Sequence, residues 1–453
     1  MRHRVLVSDP LSEKGLSLLR QTPGIEVDLE TGRSETELAS IIGDYDALIV
    51  RSATRVDAEL LAHARRLRII GRAGTGVDNI DVEAATKRGM VVVNAPGGNT
   101  VTTAEHAIAL LLALCRKIPQ ATAAMKKGKW EKKRFLGTEI FQKTLGIIGL
   151  GNIGKIVADR AKGLGMRVIA HDPYLSREVS EKLGVEAVTF EDLLRRADFI
   201  TLHTPLNDQT RHILDRKAFE RMKRGVKIVN CARGGLIDET ALLSAIDAGT
   251  VSGAALDVFE VEPPPPGYPL LERDAVIATP HLGASTAEAQ DQVALSVART
   301  IRAFLLEGTI ENAVNVPAVS ALERTRLSPW LKLTEKMGSF LMQFCQRIPP
   351  EITITYAGEI LQHDLAPLTC AFLKGFMQPM DEGVNFVNAP WIARERGIAV
   401  REIRQHRPGD YQSEISARID APCEVTEIAG TVFEGVEPRI IRIGDFRVET
   451  AVE

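Results

Sequence analysis

A histidine, a carboxylate and a guanidinium brought together at strand ends can take a proton from a hydroxyl group while holding an anion beside it. Three strings supply those types: Arg233 in V-N-C-A-R-G-G, Glu262 in D-V-F-E-V-E-P and His281 in T-P-H-L-G-A-S-T. Reversible oxidation of a hydroxy acid needs that set together with a bound hydride acceptor. Each residue also has a plainer reading. A lone histidine is more often structural, Arg233 fits a surface ion pair, and Glu262 beside the run Pro263 to Pro266 fits a solvated loop charge. Glu260 competes with Glu262 for the carboxylate role.

A hydride acceptor is indicated upstream. The string T-L-G-I-I-G-L-G-N-I-G puts Gly149, Gly151 and Gly154, with Asn152 and Ile153 between the last two, where an apolar strand runs into a helix. Glycine suits each place: the first for a tight turn, the second for close approach to a pyrophosphate, the third for helix against strand. The helix N-terminus then offers unpaired N–H groups to that anion. Asp172, in V-I-A-H-D-P-Y, follows Gly154 by 18 positions. A carboxylate there accepts both ribose hydroxyls of NAD and repels the 2′-phosphate of NADP. Taken alone it is a turn former ahead of Pro173, and Arg177 leaves room for NADP.

The elements that must carry these residues form two α/β series. Arg4–Ser8, Ile25–Leu29, Ala47–Val50, Leu67–Ile70 and Met90–Asn94 are expected strands with helices between them, hence a small parallel sheet. A single long helix is expected from Val101 to Met125. A second series starts at Leu145, with strands near Arg167–Ala170, Phe199–Leu202, Val226–Asn230 and Val276–Ala278. A helix over Thr286–Leu306 is expected to return to the first domain. The last part changes character, with helices over Pro329–Arg347 and Ala366–Met377, a strand over Glu351–Tyr356 and strands to the end. The expected fold class is α/β: two Rossmann-like or flavodoxin-like parallel-sheet domains, the nucleotide-binding one inserted in the other, plus a C-terminal α+β domain. The expected boundaries are 1–97 with 284–316, 98–283, and 317–453.

Composition narrows the function classes. The 453 residues are 45% hydrophobic and 25% charged, with a formal net charge of −3, so there is no basic surplus for nucleic acid. The N-terminal apolar stretch ends at Asp9, too short for a secretory signal core. The stretch Ala104–Cys115 falls short of the roughly 20 residues that a membrane span requires, so no membrane partner is expected. Five cysteines, at 115, 231, 345, 370 and 423, lack C-x-x-C spacing, so neither a metal site nor a disulfide framework is expected, and a reducing cytoplasm fits. The expected long helix is apolar over more of its surface than one sheet covers, which points to a homodimer or homotetramer.

The strings above, in their order and spacing, together with R-A-G-T-G-V-D-N at Arg72 to Asn79, resemble the D-isomer-specific 2-hydroxyacid dehydrogenases. R-S-A-T, K-W-E and P-H-L-G-A-S-T are most similar to the long phosphoglycerate dehydrogenases within that family, and the likeness runs from Arg4 to about Glu453. The resemblance implies NAD as cofactor and a phosphorylated D-2-hydroxy acid as small-molecule substrate. It implies His281 as acid/base, Glu262 as the partner that raises its pKa, and Arg233 as holder of the substrate carboxylate. Thr75, Thr204, Pro205, Cys231 and Asp257 would line the nicotinamide and ribose. Arg51, Ser52, Arg72 and Gly74, with Asn99, would anchor the substrate, whose phosphate carries close to two negative charges. Lys132, Lys133 and Arg134 would reach a neighbouring subunit's site; the alternative is a solvated charge run. The final part, with F-V-N-A-P-W at Phe386 to Trp391, resembles a substrate- or effector-binding module. In the long enzymes a serine-binding ACT domain normally follows, and this chain stops at about that point. Two other functions compete: a dehydrogenase of glycerate, glyoxylate or lactate, and an NAD(H)-sensing corepressor-like binding protein.

Overall fold

The computed structural model describes residues 2–452 apart from 318–320, 346, 407–409, 422 and 424; the side chains of 177, 321, 322 and 324 also lie outside the description. The reading of Arg177 as a contact for NADP therefore falls outside the described side chains. The chain forms two compact units, Met1–Pro96 with Asp291–Glu453, and Gly97–Gln290.

The first unit opens with five strands: β1 (His3–Val7), β2 (Ile25–Leu29), β3 (Ala47–Val50), β4 (Ile69–Arg72) and β5 (Val91–Val93). They are all parallel, in the order β2-β1-β3-β4-β5. Runs such as A-L-I-V are apolar without alternation because a parallel sheet is covered on both faces; every residue of β3 is buried. One face packs on Val293, Val297 and Ile301 of the helix Ala287–Glu307. Gly71 permits that approach, since a Cβ there would lie 2.5 Å from Val297 Cγ2.

The same unit holds a six-stranded sheet of β13 (Glu351–Gly358), β14 (Ala399–Gln405), β15 (Ser413–Ile419), β16 (Glu427–Phe433), β17 (Glu437–Ile443) and β18 (Phe446–Ala451). Its order is β14-β13-β15-β16-β17-β18; the β13/β14 pair is parallel and the rest antiparallel. Here the pattern does alternate. Ile352, Ile354 and Tyr356 face a core shared with the helices Ala321–Cys345 and Ala366–Met377, while Glu351, Thr353 and Thr355 are only partly covered. The first of these helices begins before the expected start, so Pro329 lies inside it. Asn385 donates from Nδ2 to the Gly89 carbonyl at 3.0 Å, and Val387 enters the core beneath the first sheet. The five cysteines also depart from expectation: Cys345 and Cys423 are joined by a disulfide across 78 residues. A pair brought together only by tertiary folding leaves no local spacing signature.

The second unit, Gly97–Gln290, carries β6 (Thr144–Ile148), β7 (Arg167–His171), β8 (Glu186–Ala187), β9 (Phe199–Leu202), β10 (Val226–Asn230), β11 (Val251–Leu256) and β12 (Val276–Ala278). All pairs are parallel, in the order β12-β11-β10-β9-β6-β7-β8. Chain progression reverses between β6 and β9, and ligands bind such sheets in the crevice outside the strand C-termini at that point. The expected long helix is two helices, Thr100–Arg116 and Ile118–Lys126, bent by 63°. Lys117 turns left-handed (φ 53°), and Pro119 lies in the first turn of the second helix, where a missing N–H costs nothing. No single helix among the described residues is long and apolar enough to cross a membrane; only this bent pair passes, by length and composition alone.

Candidate active site

The glycine motif takes the three roles its spacing implies. Gly149 has φ 90°, and a Cβ on it would lie 2.7 Å from the His203 carbonyl oxygen. Gly154 would place a Cβ 2.2 Å from the Gly149 carbonyl oxygen, so the helix Asn152–Gly163 packs directly on the turn. Gly151, which starts that helix, has nothing within 4 Å of where its Cβ would stand. An open main chain at a 12-residue helix's N-terminus is a cradle that a pyrophosphate fits. Asn152 and Ile153 are the first helical residues.

Asp172 follows β7 and fastens the glycine loop, accepting the Leu150 N–H at 2.8 Å through Oδ2 and the Tyr174 N–H at 2.9 Å through Oδ1. Each oxygen keeps a second lone pair, so ribose hydroxyls can still be accepted. Thr204 and Pro205 come directly after β9, across the point of reversal from the glycine loop. His203 just before them is driven down to about 4 by burial and is therefore neutral at pH 7; its Nε2 lies 2.9 Å from Thr201 Oγ1.

Three loops beyond β10, β11 and β12 carry the candidate residues Arg233, Glu262 and His281. His281 Nδ1 lies 2.7 Å from Glu262 Oε2, and Glu262 Oε1 accepts the Phe259 N–H at 3.0 Å. The hydrogen bond to Glu262 raises the His281 imidazole above its ordinary value against the opposing effect of burial. Asp257 adds to the rise, and Arg233 opposes it. Burial pushes Glu262 up, but the bonds from His281 and Phe259 outweigh it and leave the carboxyl below its usual range. Arg233 precedes the short turn Gly234–Leu236 and donates from Nη1 to the Ala232 carbonyl at 2.7 Å. The competition between the two glutamates is decided by their partners. Glu260 Oε1 is 3.0 Å from His212 Nε2, and the Glu260 N–H is bonded to Glu239 at 2.9 Å.

Asp257, at the end of β11, is buried and gathers the histidine's loop. Its carbonyl accepts the His281 N–H at 2.9 Å, Oδ1 accepts Leu282 N–H at 2.7 Å and Oδ2 accepts Gly283 N–H at 2.8 Å. His281 is held at φ 52°, a left-handed conformation uncommon outside glycine. Cys231 is buried beside Asn230, and burial raises its thiol. Sequence reasoning did not single out His106 or Thr279, both of which bond to Asp257.

The expected anion-holding residues of the first unit follow its strands. Arg51, after β3, gives its N–H to the buried Asp9 carboxylate at 2.6 Å, and Asp9 also accepts Thr54 N–H and Oγ1. Asn79 bonds the Arg51 and Thr54 carbonyls from below. Ser52 is exposed. Arg72 ends β4 and its guanidinium lies over Gly74, with Nη1 1.7 Å from where a Cβ would stand. Thr75 is exposed and its carbonyl accepts from Asn94. In the second unit Asn99 is the N-cap residue of the Thr100–Arg116 helix. Lys132 and Lys133 are exposed and form no ion pair among the described residues, whereas Arg134 is engaged by Glu131 at 3.3 Å and Asp274 at 3.1 Å. The basic run is thus divided: two of its cations are open and one is committed within its own unit.

Comparison with known proteins matches residues 108–283 to the D-isomer specific 2-hydroxyacid dehydrogenase NAD binding domain and residues 326–444 to the D-3-phosphoglycerate dehydrogenase intervening domain. The chain is 45% identical over 446 residues to the D-3-phosphoglycerate dehydrogenase of Archaeoglobus fulgidus, covering 98% of this chain and 84% of that one. The chain belongs to the D-3-phosphoglycerate dehydrogenase family. A second member of that family, from Bacillus subtilis, is 42% identical, again covering 98% of this chain and 84% of its own length. Among solved structures, the TT0316 protein from Thermus thermophilus matches with TM-score 0.63 and 37% identity over 69% of this chain and 99% of that one. A glyoxylate reductase from Paecilomyes thermophila matches with TM-score 0.63 and 32% identity over 69% and 98%. Family membership makes the chain an NAD-dependent dehydrogenase and accounts for the glycine cradle and the acid beyond it.

Proposed function

We propose that the chain oxidises 3-phospho-D-glycerate to 3-phosphohydroxypyruvate with NAD, the first step of the phosphorylated route to L-serine. The observation that carries the reading is the 2.7 Å contact of His281 Nδ1 with Glu262, set in a family that performs this reaction. With Nδ1 engaged, Nε2 is the nitrogen free to take the proton of the substrate's C2 hydroxyl. Glu262 stabilises the imidazolium that results, and Arg233 holds the C1 carboxylate and draws charge onto the developing carbonyl oxygen. NAD, when bound, accepts the hydride that leaves C2. Gly149, Gly151, Asn152, Ile153 and Gly154 would take its pyrophosphate and Asp172 its adenosine ribose; Thr204, Pro205, Cys231, Asp257 and Thr75 would line the rest.

Arg51, Ser52, Arg72, Gly74 and Asn99 are assigned to the substrate, with Lys132 and Lys133 adding positive charge; Arg134 is the weakest of this set because two carboxylates already hold it. Val101, Ile118 and Met125 on the bent helix pair are each about half exposed. We assign that surplus to a contact between copies of the chain, as a homodimer or homotetramer, and we keep residues 317–453 as a separate effector- or substrate-binding module. The cytoplasm is the compartment where this substrate and cofactor would meet the chain.

Steady-state rates with NAD and either 3-phosphoglycerate or unphosphorylated D-glycerate test the assignment. A kcat/KM higher for the phosphorylated acid by about a hundredfold, as expected for one or two charge-assisted hydrogen bonds, is the predicted result. Preference for glycerate would reject the substrate, and failure of either to turn over would favour a binding protein.

A further inference from the structure

His106 projects from the Thr100–Arg116 helix toward the end of β11, where its Nε2 lies 3.2 Å from Asp257 Oδ1 and 3.2 Å from Thr279 Oγ1. A carboxylate oxygen only accepts, so Nε2 carries the proton. The Thr279 hydroxyl in turn donates to the same Asp257 oxygen at 2.5 Å. His106, Cys231 and Asp257 present ligand atoms all within 4.8 Å of one another, close enough to suggest a metal centre. Hydrogen bonding argues against one. Both Asp257 oxygens already receive N–H or O–H donors, and burial keeps the Cys231 thiol protonated, whereas a metal needs free lone pairs and a thiolate.

A buried carboxylate holding three backbone or hydroxyl donors is precise only if it cannot rotate. His106 supplies the side-chain stop on that rotation. Thr103, one turn earlier on the same helix, adds a second tie by donating from Oγ1 to the Gly283 carbonyl at 3.0 Å. The turn Thr279–Gly283 is thus fastened from below by one helix and from within by Asp257.

We propose that His106 is a positioning residue for proton transfer: through Asp257 and Thr279 it holds the turn in the left-handed arrangement that aims His281 at Glu262. This rests on the reading of His281 as proton acceptor. The charged and titratable groups facing His281 are Glu262 and Asp257 from the segment after β11, Arg233 from the segment after β10, and, through Asp257, His106. If the turn loosens, the Glu262 contact lengthens and imidazolium loses part of its support.

Two polar variants separate positioning from bulk structure. The glutamine of His106→Gln reaches about as far as Nε2 and keeps an N–H for Asp257; the shorter asparagine of His106→Asn does not. For the oxidation reaction His106→Asn is expected to lower kcat by about 10- to 100-fold, the usual effect of displacing a reacting group by an ångström or less. KM for NAD should stay within about threefold, because the glycine cradle is untouched. The rising limb of the kcat/KM profile against pH should also move to lower pH in His106→Asn, with His106→Gln restoring both rate and limb. The role is overturned if His106→Asn keeps wild-type kcat and limb, if it loses rate with an unmoved limb, or if His106→Gln is as impaired as His106→Asn. His281→Asn, measured alongside, separates the two levels. An active His281→Asn would remove the proton-acceptor reading itself, whereas an inactive one beside an unaffected His106→Asn would remove only the positioning role.

Discussion

Asp9 and Asp257 occupy matching places on two different parallel sheets. Each lies just past a strand, each is almost wholly buried, and each gathers the loop that follows the neighbouring strand. What the loops deliver differs. Asp9 receives the Arg51 and Thr54 N–H groups and one side chain, the Thr54 hydroxyl, and leaves the Arg51 side chain to make a single long contact of 3.3 Å with a carbonyl. Asp257 receives two amides and two side chains, and the histidine it presents is held at φ 52°. Attraction between a cation and an anion falls off slowly with distance, so a guanidinium tolerates a loosely held side chain. Proton transfer requires heavy atoms about 2.6–3.2 Å apart and aligned, and the more heavily tied loop is the one assigned to it. Asp172 is a third instance of the device, fastening the glycine loop after β6 from the end of β7.

If the contrast is sound, damage on the Asp257 side should appear in turnover and damage on the Asp9 side in affinity. The largest effect is expected from His281→Asn, with kcat lower by about 100- to 10,000-fold and NAD affinity nearly intact, since only proton transfer is removed. Stopped-flow or steady-state assays beside a binding titration would check it. Asp172→Ala should come next, weakening NAD by about tenfold to a hundredfold, the worth of one or two hydrogen bonds to a charged group. NADP should lose less, because its 2′-phosphate no longer meets a like charge; equal losses would contradict the ribose role. Asp9→Ala should be smaller and of a different kind. It leaves the Arg51 and Thr54 amides unpaired, at a cost of about 1–3 kcal/mol in unfolding free energy. It should raise KM for the phosphorylated acid while sparing kcat; a collapse of kcat instead would erase the distinction between the two loops.

Much of this was legible in the sequence because parallel sheets write themselves in short apolar runs. Ile25–Leu29, Ala47–Val50, Phe199–Leu202, Val226–Asn230 and Val276–Ala278 are strands with the expected ends. The strings around Arg233, Glu262 and His281 marked three strand-end loops, and the structure sets His281 Nδ1 2.7 Å from Glu262 Oε2. Local periodicity could not reveal what depends on chain folding. His106 lies 151 positions from Asp257, and nothing in an apolar helix says which buried carboxylate its one imidazole meets. The bend at Lys117 did leave one sign, Pro119, since proline inside a helical pattern ends or kinks the helix before it; the apolar pattern that continues across it outweighed that sign in the expectation of one helix. Asp9 read as the end of an apolar run, and only the fold brings Arg51 to it.

The pairing of His281 with Glu262 is open to one direct measurement, the pH dependence of kcat/KM for oxidation in the wild-type enzyme and in Glu262→Gln. A histidine raised by its carboxylate is an effective base only above that raised value, so the wild-type rate should climb with pH through a limb lying above the ordinary histidine pKa of about 6.5. Glu262→Gln keeps a hydrogen-bond acceptor but removes the charge, and its limb should shift toward lower pH. A limb at the same position in both proteins would contradict the account.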